Sequence, residues 1–305
     1  MPRLASAGWI AALCLAACAG GSGDEPAAPD DAQDDASDAD AATDDAALEV
    51  ATSDANDAGP QGDSEADAPT IDAPVPIDRS KCVASPDALG LTHRVAKGSA
   101  GGSMSYVAFA PASYDPRTAL PLVIALHGAG DKSDNYFAAI WQGTAASKGL
   151  LVVTPEASTP AGPGFTWSGS DANLILDVVD DFERCYSVDP KRRLINGFSA
   201  GGIMAYLIGI EAADQFAGVM IASSDFDSAQ ALAGKKLLPA PWKIPVAHTH
   251  GVTDMNFPIA YARKGRDELL AAGHVVHWHE FDGGHTTTAA FAATMYDDLA
   301  ASVAP

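Results

Sequence analysis

The chain has 305 residues, 47 % of them hydrophobic, and a formal net charge of −22. Eighteen of its acidic residues lie between Asp24 and Asp78, where there is no lysine or arginine, so the chain from Arg79 onward carries a net charge of −5. This balance argues against a nucleic-acid-binding protein, since binding to phosphates requires a basic surface. The residues after Arg79 suffice for one large α/β domain.

Residues 1–17 have the pattern of a signal peptide, with a positive charge at Arg3 and an apolar run that is too short to span a bilayer. The run ends in Leu-Ala-Ala-Cys18, which resembles the lipobox of bacterial lipoproteins. The resemblance implies cleavage before Cys18 and lipid on its thiol, which would anchor the protein outside the cytoplasm, at the outer membrane or cell surface. An ordinary secretory signal that releases the protein is the alternative.

Residues 18–79 are rich in Ala, Asp, Gly, Pro and Ser and contain very few large apolar side chains. Such a segment cannot bury enough surface to offset the entropy cost of ordering, so it is predicted to be a disordered acidic tether. Repulsion between its like charges favours an extended chain. Calcium binding by the aspartate run is the alternative to a solvated spacer.

Residues 80–305 are predicted to form the folded domain. Strands are predicted at residues 92–96, 103–110, 120–126, 150–154, 193–196, 216–222, 244–248 and 274–281. Helices are predicted at residues 133–148, 173–186, 202–208, 259–272 and 287–302. After two antiparallel strands, this alternation indicates an α/β fold with a doubly wound, mostly parallel sheet and helices on both faces. Residues 156–172 and 223–243 are predicted to be loops that shape the substrate pockets.

The motif Gly-Phe-Ser199-Ala-Gly lies between a predicted strand and a predicted buried helix. In that context G-x-S-x-G is typical of the nucleophile elbow of serine hydrolases, where a sharp turn exposes the serine hydroxyl. Small flanking residues let the strand and helix approach, and the helix directs its positive dipole end at the reacting group. A chance occurrence in a glycine-rich chain is the alternative interpretation.

A serine nucleophile requires a base that is itself oriented by an acid. Of the eight histidines, His285 follows the last predicted strand in a Gly-Gly turn, at the sheet edge where ligands of open α/β sheets bind. The order Ser, Asp, His then favours Asp254 as the acid. Asp225, which follows the preceding strand, is the rival, while Asp282 is too close to His285 in sequence.

The developing oxyanion requires two N–H donors. One is predicted at Ala200, directly after the nucleophile, and the other at Ala129 in the sequence His127-Gly-Ala-Gly after the strand at residues 120–126. His127 is predicted to hold this loop by hydrogen bonds. His248 and His250 alternate along a strand without a third ligand at useful spacing, so they are interpreted as framework rather than metal ligands.

Cys82 and Cys185 are the two cysteines of the predicted mature domain. An exported protein with two cysteines favours one disulfide, with two buried free thiols as the alternative.

These motifs resemble the secreted α/β-hydrolases grouped as polyhydroxybutyrate depolymerase-like proteins and as feruloyl/acetylxylan esterases of carbohydrate esterase family one. The matching stretches are residues 126–130, 185–192, 197–202, 250–254 and 283–285. The resemblance implies an α/β-hydrolase fold, carboxylic-ester hydrolysis and no cofactor. It also supports the Cys82–Cys185 pairing, because in these families the second cysteine often pairs with an N-terminal one.

We therefore expect a monomeric serine esterase that acts on an ester substrate, with hydroxyalkanoate, feruloyl or acetyl esters as candidates. Its predicted partners are this substrate and, through the lipid on Cys18, a membrane. A serine peptidase on the same fold is one alternative, and a non-catalytic binding lipoprotein at the surface is another. Retention of all three members of a Ser-Asp-His set argues against the non-catalytic alternative.

Overall fold

One sheet of eight strands forms the centre of the described chain. The computed structural model describes residues 80, 82 and 87–302, so the predicted signal peptide, Cys18 and the acidic tether lie outside the described residues. The strands of this sheet are β1 (Gly90–Lys97), β2 (Ser103–Ala110), β3 (Leu120–Leu126), β4 (Leu151–Pro155), β7 (Val188–Phe198), β8 (Gly218–Ala222), β9 (Val246–Gly251) and β10 (Val276–Phe281). Two short strands, β5 (Thr159–Ala161) and β6 (Gly164–Thr166), form a separate hairpin.

The order across the large sheet is β1-β2-β4-β3-β7-β8-β9-β10. β1 pairs with β2, and β2 with β4, in the antiparallel sense, whereas every other neighbouring pair is parallel. The mostly parallel sheet predicted from the sequence is therefore confirmed. Its parallel strands end at one edge, so the loops that follow β3, β7, β8, β9 and β10 meet there.

Helices cover both faces of the sheet. They are α1 (Ser133–Tyr136), α2 (Gln142–Lys148), α3 (Asp171–Glu183), α4 (Ala200–Glu211), α5 (Phe226–Ala233), α6 (Ile259–Ala271) and α7 (Ala289–Ser302). Alternate residues of β3 enter different cores: Leu122 and Ile124 pack with α3 and α4, while Val123 and Ala125 pack with α2 and α7. Burial on both faces explains why this strand is apolar at consecutive positions rather than alternating.

Some elements differ from the sequence-based prediction. The helix predicted at residues 133–148 is interrupted by a π-helical turn, Phe137–Trp141, between α1 and α2. The predicted loop at residues 156–172 contains the β5–β6 hairpin, and the loop at 223–243 contains α5. In α5, the Asp225 side chain accepts a hydrogen bond from the Ser228 N–H, and Gly234 ends the helix with a φ of 65°. These two capping residues are the sequence signal for that helix.

A disulfide joins Cys82 to Cys185 across a sequence separation of 103 residues. It ties the segment before β1 to the turn that follows α3. The predicted pairing is thus present in the structure. Among the described residues, no helix combines the length and the hydropathy that crossing a membrane would require.

Replacing both cysteines by serine is expected to lower the free energy of unfolding by about 4–5 kcal/mol, because closure of a loop of this length restricts the unfolded chain. Thermal unfolding followed by circular dichroism measures the effect. Reduction with dithiothreitol should lower the Tm of the parent protein and leave that of the double variant unchanged. Equal Tm values for the double variant and the oxidised parent would contradict the expectation.

Candidate active site

Ser199 lies at the sharp turn between β7 and α4, with φ 55° and ψ −122°. A positive φ is strained for a residue with a side chain, and such strain is concentrated at functional sites. Both glycines of the motif are required because there is no space for a side chain at either position. A Cβ at Gly197 would overlap the carbonyl oxygen of Gly201, and a Cβ at Gly201 would overlap that of Leu126. The sequence therefore forms the elbow because only glycine lets β7, α4 and β3 approach this closely.

His285 lies in the turn after β10 and contacts both predicted partners. Its Nε2 is 2.9 Å from Ser199 Oγ, and its Nδ1 is 2.8 Å from Asp254 Oδ2. A carboxylate oxygen accepts, so Nδ1–H donates to Asp254. Nε2 of the neutral ring is then left to accept the hydrogen bond from the Ser199 hydroxyl. This is the arrangement that a general base requires.

Asp254 lies in the turn after β9, and its side chain is fully buried. Its Oδ1 accepts hydrogen bonds from the N–H groups of Asn256 and Phe257, at 2.9 and 2.8 Å, so Oδ2 faces His285. We call residues 252–257, which carry Asp254, the acid turn, and residues 282–285, which carry His285, the base turn. The two turns touch directly, because the Thr253 N–H donates to the carbonyl oxygen of Gly283 at 3.0 Å. The rival Asp225 is engaged elsewhere, as the N-cap of α5.

Three residues that the sequence analysis did not single out hold the base in place. The rings of Phe198 and Phe257 lie 5.0 and 5.6 Å from the His285 ring, centroid to centroid. Ser223 Oγ donates to the carbonyl oxygen of Thr286 at 2.9 Å, from a backbone with φ 47°. Phe198 is recognisable in the sequence as the variable residue of the motif, whereas nothing in the sequence indicates Ser223.

The predicted oxyanion donors belong to two segments that lie close to the nucleophile, the start of α4 and the loop after β3. Ala200 is the first residue of α4, so its N–H has no acceptor within the helix. Ala129 lies in the loop after β3, next to Gly128. A Cβ at Gly128 would lie 2.9 Å from the Phe198 ring and 3.5 Å from Ser199 Cβ, which shows how close this loop is to the nucleophile.

Hydrogen bonds hold the loop that carries Ala129. His127 Nδ1–H donates to the carbonyl oxygen of Gly128 at 2.8 Å, and His127 Nε2 accepts from the Ala157 N–H at 3.2 Å. Trp167 Nε1 donates to the carbonyl oxygen of His127 at 2.7 Å, and the Gly130 N–H donates to that of Phe165 at 2.9 Å. The β5–β6 hairpin thus braces the loop, a contact that the sequence analysis did not predict.

His248 and His250 are buried on β9, and burial lowers the pKa of both rings. Within the part of the chain that the structure describes, no group of three or more His, Cys, Asp and Glu side chains is arranged to hold a metal ion.

Residues 171–302 match a family model described as Phospholipase/Carboxylesterase. The chain is 28 % identical over 148 residues to a bifunctional acetylxylan esterase/xylanase of Neocallimastix patriciarum, covering 48 % of this chain and 21 % of that protein. It is 30 % identical over 141 residues to a poly(3-hydroxybutyrate) depolymerase of Ralstonia pickettii, covering 40 % of this chain and 29 % of that protein. The matches thus span less than a third of either relative.

Among solved structures, an esterase of Thermogutta terrifontis with bound butyrate superimposes with a TM-score of 0.55 at 15 % identity, over 70 % of this chain and 94 % of that one. At this identity the likeness establishes the fold. Together with the order of the strands in the sheet and the family match over residues 171–302, it shows that the described chain has an α/β-hydrolase fold.

Proposed function

We propose that this protein is a serine carboxylic-ester hydrolase that works through an acyl-enzyme, with Ser199 as nucleophile, His285 as base and Asp254 as orienting acid. The observation that carries the proposal is the position of the His285 ring, whose two nitrogens lie 2.9 Å from Ser199 Oγ and 2.8 Å from Asp254 Oδ2. The N–H groups of Ala129 and Ala200 are the proposed oxyanion donors.

In the first half of the reaction, Ser199 Oγ attacks the ester carbonyl carbon while His285 Nε2 takes the hydroxyl proton. The carbonyl oxygen becomes an oxyanion that accepts hydrogen bonds from Ala129 and Ala200, and each such donor is typically worth about 3–4 kcal/mol of barrier. When the carbon–oxygen bond to the alcohol breaks, His285 returns the proton to the leaving oxygen. Water then attacks the acyl-enzyme by the same steps and releases the acid and Ser199.

The substrate class is proposed from the relatives and from the rim of the site. The two relatives carry the names bifunctional acetylxylan esterase/xylanase and poly(3-hydroxybutyrate) depolymerase, which favours acetyl or hydroxyalkanoate esters. Feruloyl esters are a candidate from the sequence resemblance alone. In the acid turn, Met255 is 88 % exposed and Val252 is 38 % exposed. Exposed apolar side chains in the turn that carries the proposed acid suit an ester presented on an extended or surface-bound substrate.

We also propose that the protein is exported and anchored through lipid on Cys18, with residues 18–79 as the tether. The disulfide between Cys82 and Cys185 supports the export, because disulfides persist in oxidising compartments outside the cytoplasm. The proposed anchor rests on the lipobox-like sequence that ends at Cys18.

The test is a substrate panel: p-nitrophenyl esters of increasing acyl length, feruloyl and acetyl-xylan esters, a hydroxybutyrate oligomer, and p-nitroanilide peptides. We expect turnover of at least one ester class, and stoichiometric labelling of the protein by a phosphonate that mimics the tetrahedral intermediate. Hydrolysis of peptides without any ester would favour the peptidase alternative. Absence of both turnover and labelling would overturn the proposal.

A further inference from the structure

A buried chain of hydrogen bonds runs alongside the candidate site. The Tyr206 hydroxyl is 2.9 Å from His248 Nδ1, His248 Nε2 is 3.1 Å from His250 Nδ1, and His250 Nε2 is 2.7 Å from the carbonyl oxygen of Phe257. Tyr206 and both histidines are at most 1 % exposed. We call these three residues the relay.

The direction of every bond in the relay is determined by its last member. The Phe257 carbonyl can only accept, so His250 Nε2 carries the proton and donates. Burial lowers the pKa of His250 and holds that of His248 well below its ordinary value, so both rings are neutral. His250 Nδ1 then accepts from His248 Nε2–H, and His248 Nδ1 accepts from the Tyr206 hydroxyl. Each polar atom of the relay has one partner, and no other set of tautomers satisfies all of them.

The relay joins elements that carry two different members of the candidate triad. Tyr206 belongs to α4, the helix that begins directly after Ser199. Phe257 closes the acid turn: its N–H donates to Asp254 Oδ1, and its carbonyl accepts from His250. His250 Nε2 itself is 3.7 Å from Asp254 Oδ2, too far for a hydrogen bond. The relay therefore reaches the carboxylate through the peptide groups of Phe257.

We propose that Tyr206, His248 and His250 are positioning residues that hold the acid turn in register with the nucleophile helix, and thereby set the Asp254–His285 hydrogen bond. This inference rests on the proposed function, since it assigns the relay a role in that reaction. A shift of about 1 Å in a supporting group can cost on the order of 100-fold in rate. The relay is thus expected to act on kcat rather than on substrate binding.

Two substitutions at His250 separate the bond to the acid turn from simple packing. Asparagine places its amide near the position of Nδ1, so His250→Asn removes the donor to Phe257. Glutamine reaches the position of Nε2, so His250→Gln retains that donor. We expect kcat to fall on the order of 10- to 100-fold in His250→Asn with KM within about twofold. His250→Gln should recover most of this loss.

His274 provides a matched control. It is also buried, and its Nδ1 is 3.1 Å from the carbonyl oxygen of Ile244, at the opposite end of β9 and β10 from the candidate site. His274→Gln removes the same kind of bond, because glutamine places its amide near Nε2 rather than Nδ1, so it should lower the Tm and leave kcat per phosphonate-titrated site unchanged. The proposal is overturned if His250→Asn retains the parent kcat, or if His274→Gln loses kcat to the same extent.

Tyr206→Phe keeps the inference testable should His250→Asn fail to fold. This variant retains the ring that packs against Phe226, at 5.2 Å between centroids, and removes only the hydroxyl donor to His248. We expect a smaller loss of kcat, on the order of 3- to 10-fold with KM unchanged; parent kcat in this variant would overturn the role of the relay. In either case, ester turnover by the parent protein shows separately that the proposed function stands.

Discussion

Replacing Ser199 by alanine is expected to lower kcat for ester hydrolysis by at least about 10³-fold, because the acyl-enzyme cannot form without the hydroxyl. The fold should be unaffected. Alanine keeps the Cβ that the elbow already accommodates and removes only the oxygen that is hydrogen-bonded to His285 Nε2. KM is expected to change little. Steady-state kinetics on the best p-nitrophenyl ester, together with loss of phosphonate labelling, measures the effect.

Ser224 supplies the control for that experiment. It is fully buried close to the elbow, where a Cβ on Gly202 would lie 2.6 Å from Ser224 Cβ. Its hydroxyl has no hydrogen-bond partner among the described residues. Ser224→Ala should therefore retain the parent kcat. Equal activity of Ser199→Ala and the parent would refute the assignment of the nucleophile, whatever the effect at Ser224.

The sequence predicted those parts of the fold in which burial or close backbone contact restricts the residue types that can be accommodated. β3 is apolar along its whole length because both of its faces are covered, and the glycines of the elbow are required by close backbone contacts. The β5–β6 hairpin was missed because strands of three residues have no measurable periodicity. The π-helical turn was missed because its residues are apolar at the same positions as an ordinary helix would be.

The sequence indicated the three candidate catalytic residues, but not the residues that hold them in place. Chain order places an acid between Ser199 and His285, but order alone does not separate Asp254 from Asp225. The separation comes from local geometry, since Asp225 caps α5 while Asp254 faces His285. The relay depends on contacts such as that between Tyr206 and His248, 42 residues apart, which no local pattern in the sequence can indicate.

Replacing Asp254 by asparagine tests the assignment of the orienting acid. The side-chain oxygen of asparagine can still accept from the Asn256 and Phe257 N–H groups, so the turn is expected to persist. The amide nitrogen would then face His285 Nδ1 and donate to it. That bond forces the proton of the neutral ring onto Nε2, which can no longer accept the proton of Ser199. The expected loss in kcat is about 10⁴-fold, with KM nearly unchanged.

Asp225→Asn is the matched control, because it makes the same change of one atom in the rival carboxylate. Asparagine caps helices about as well as aspartate, so α5 should retain its N-cap and kcat should stay near that of the parent. Kinetics for both variants, normalised to sites titrated with phosphonate, distinguishes the two acids. A large loss in Asp225→Asn with near-normal turnover in Asp254→Asn would reverse the assignment. Parent-like kcat in both variants would show that His285 acts without an orienting carboxylate, in conflict with the 2.8 Å contact between His285 Nδ1 and Asp254 Oδ2.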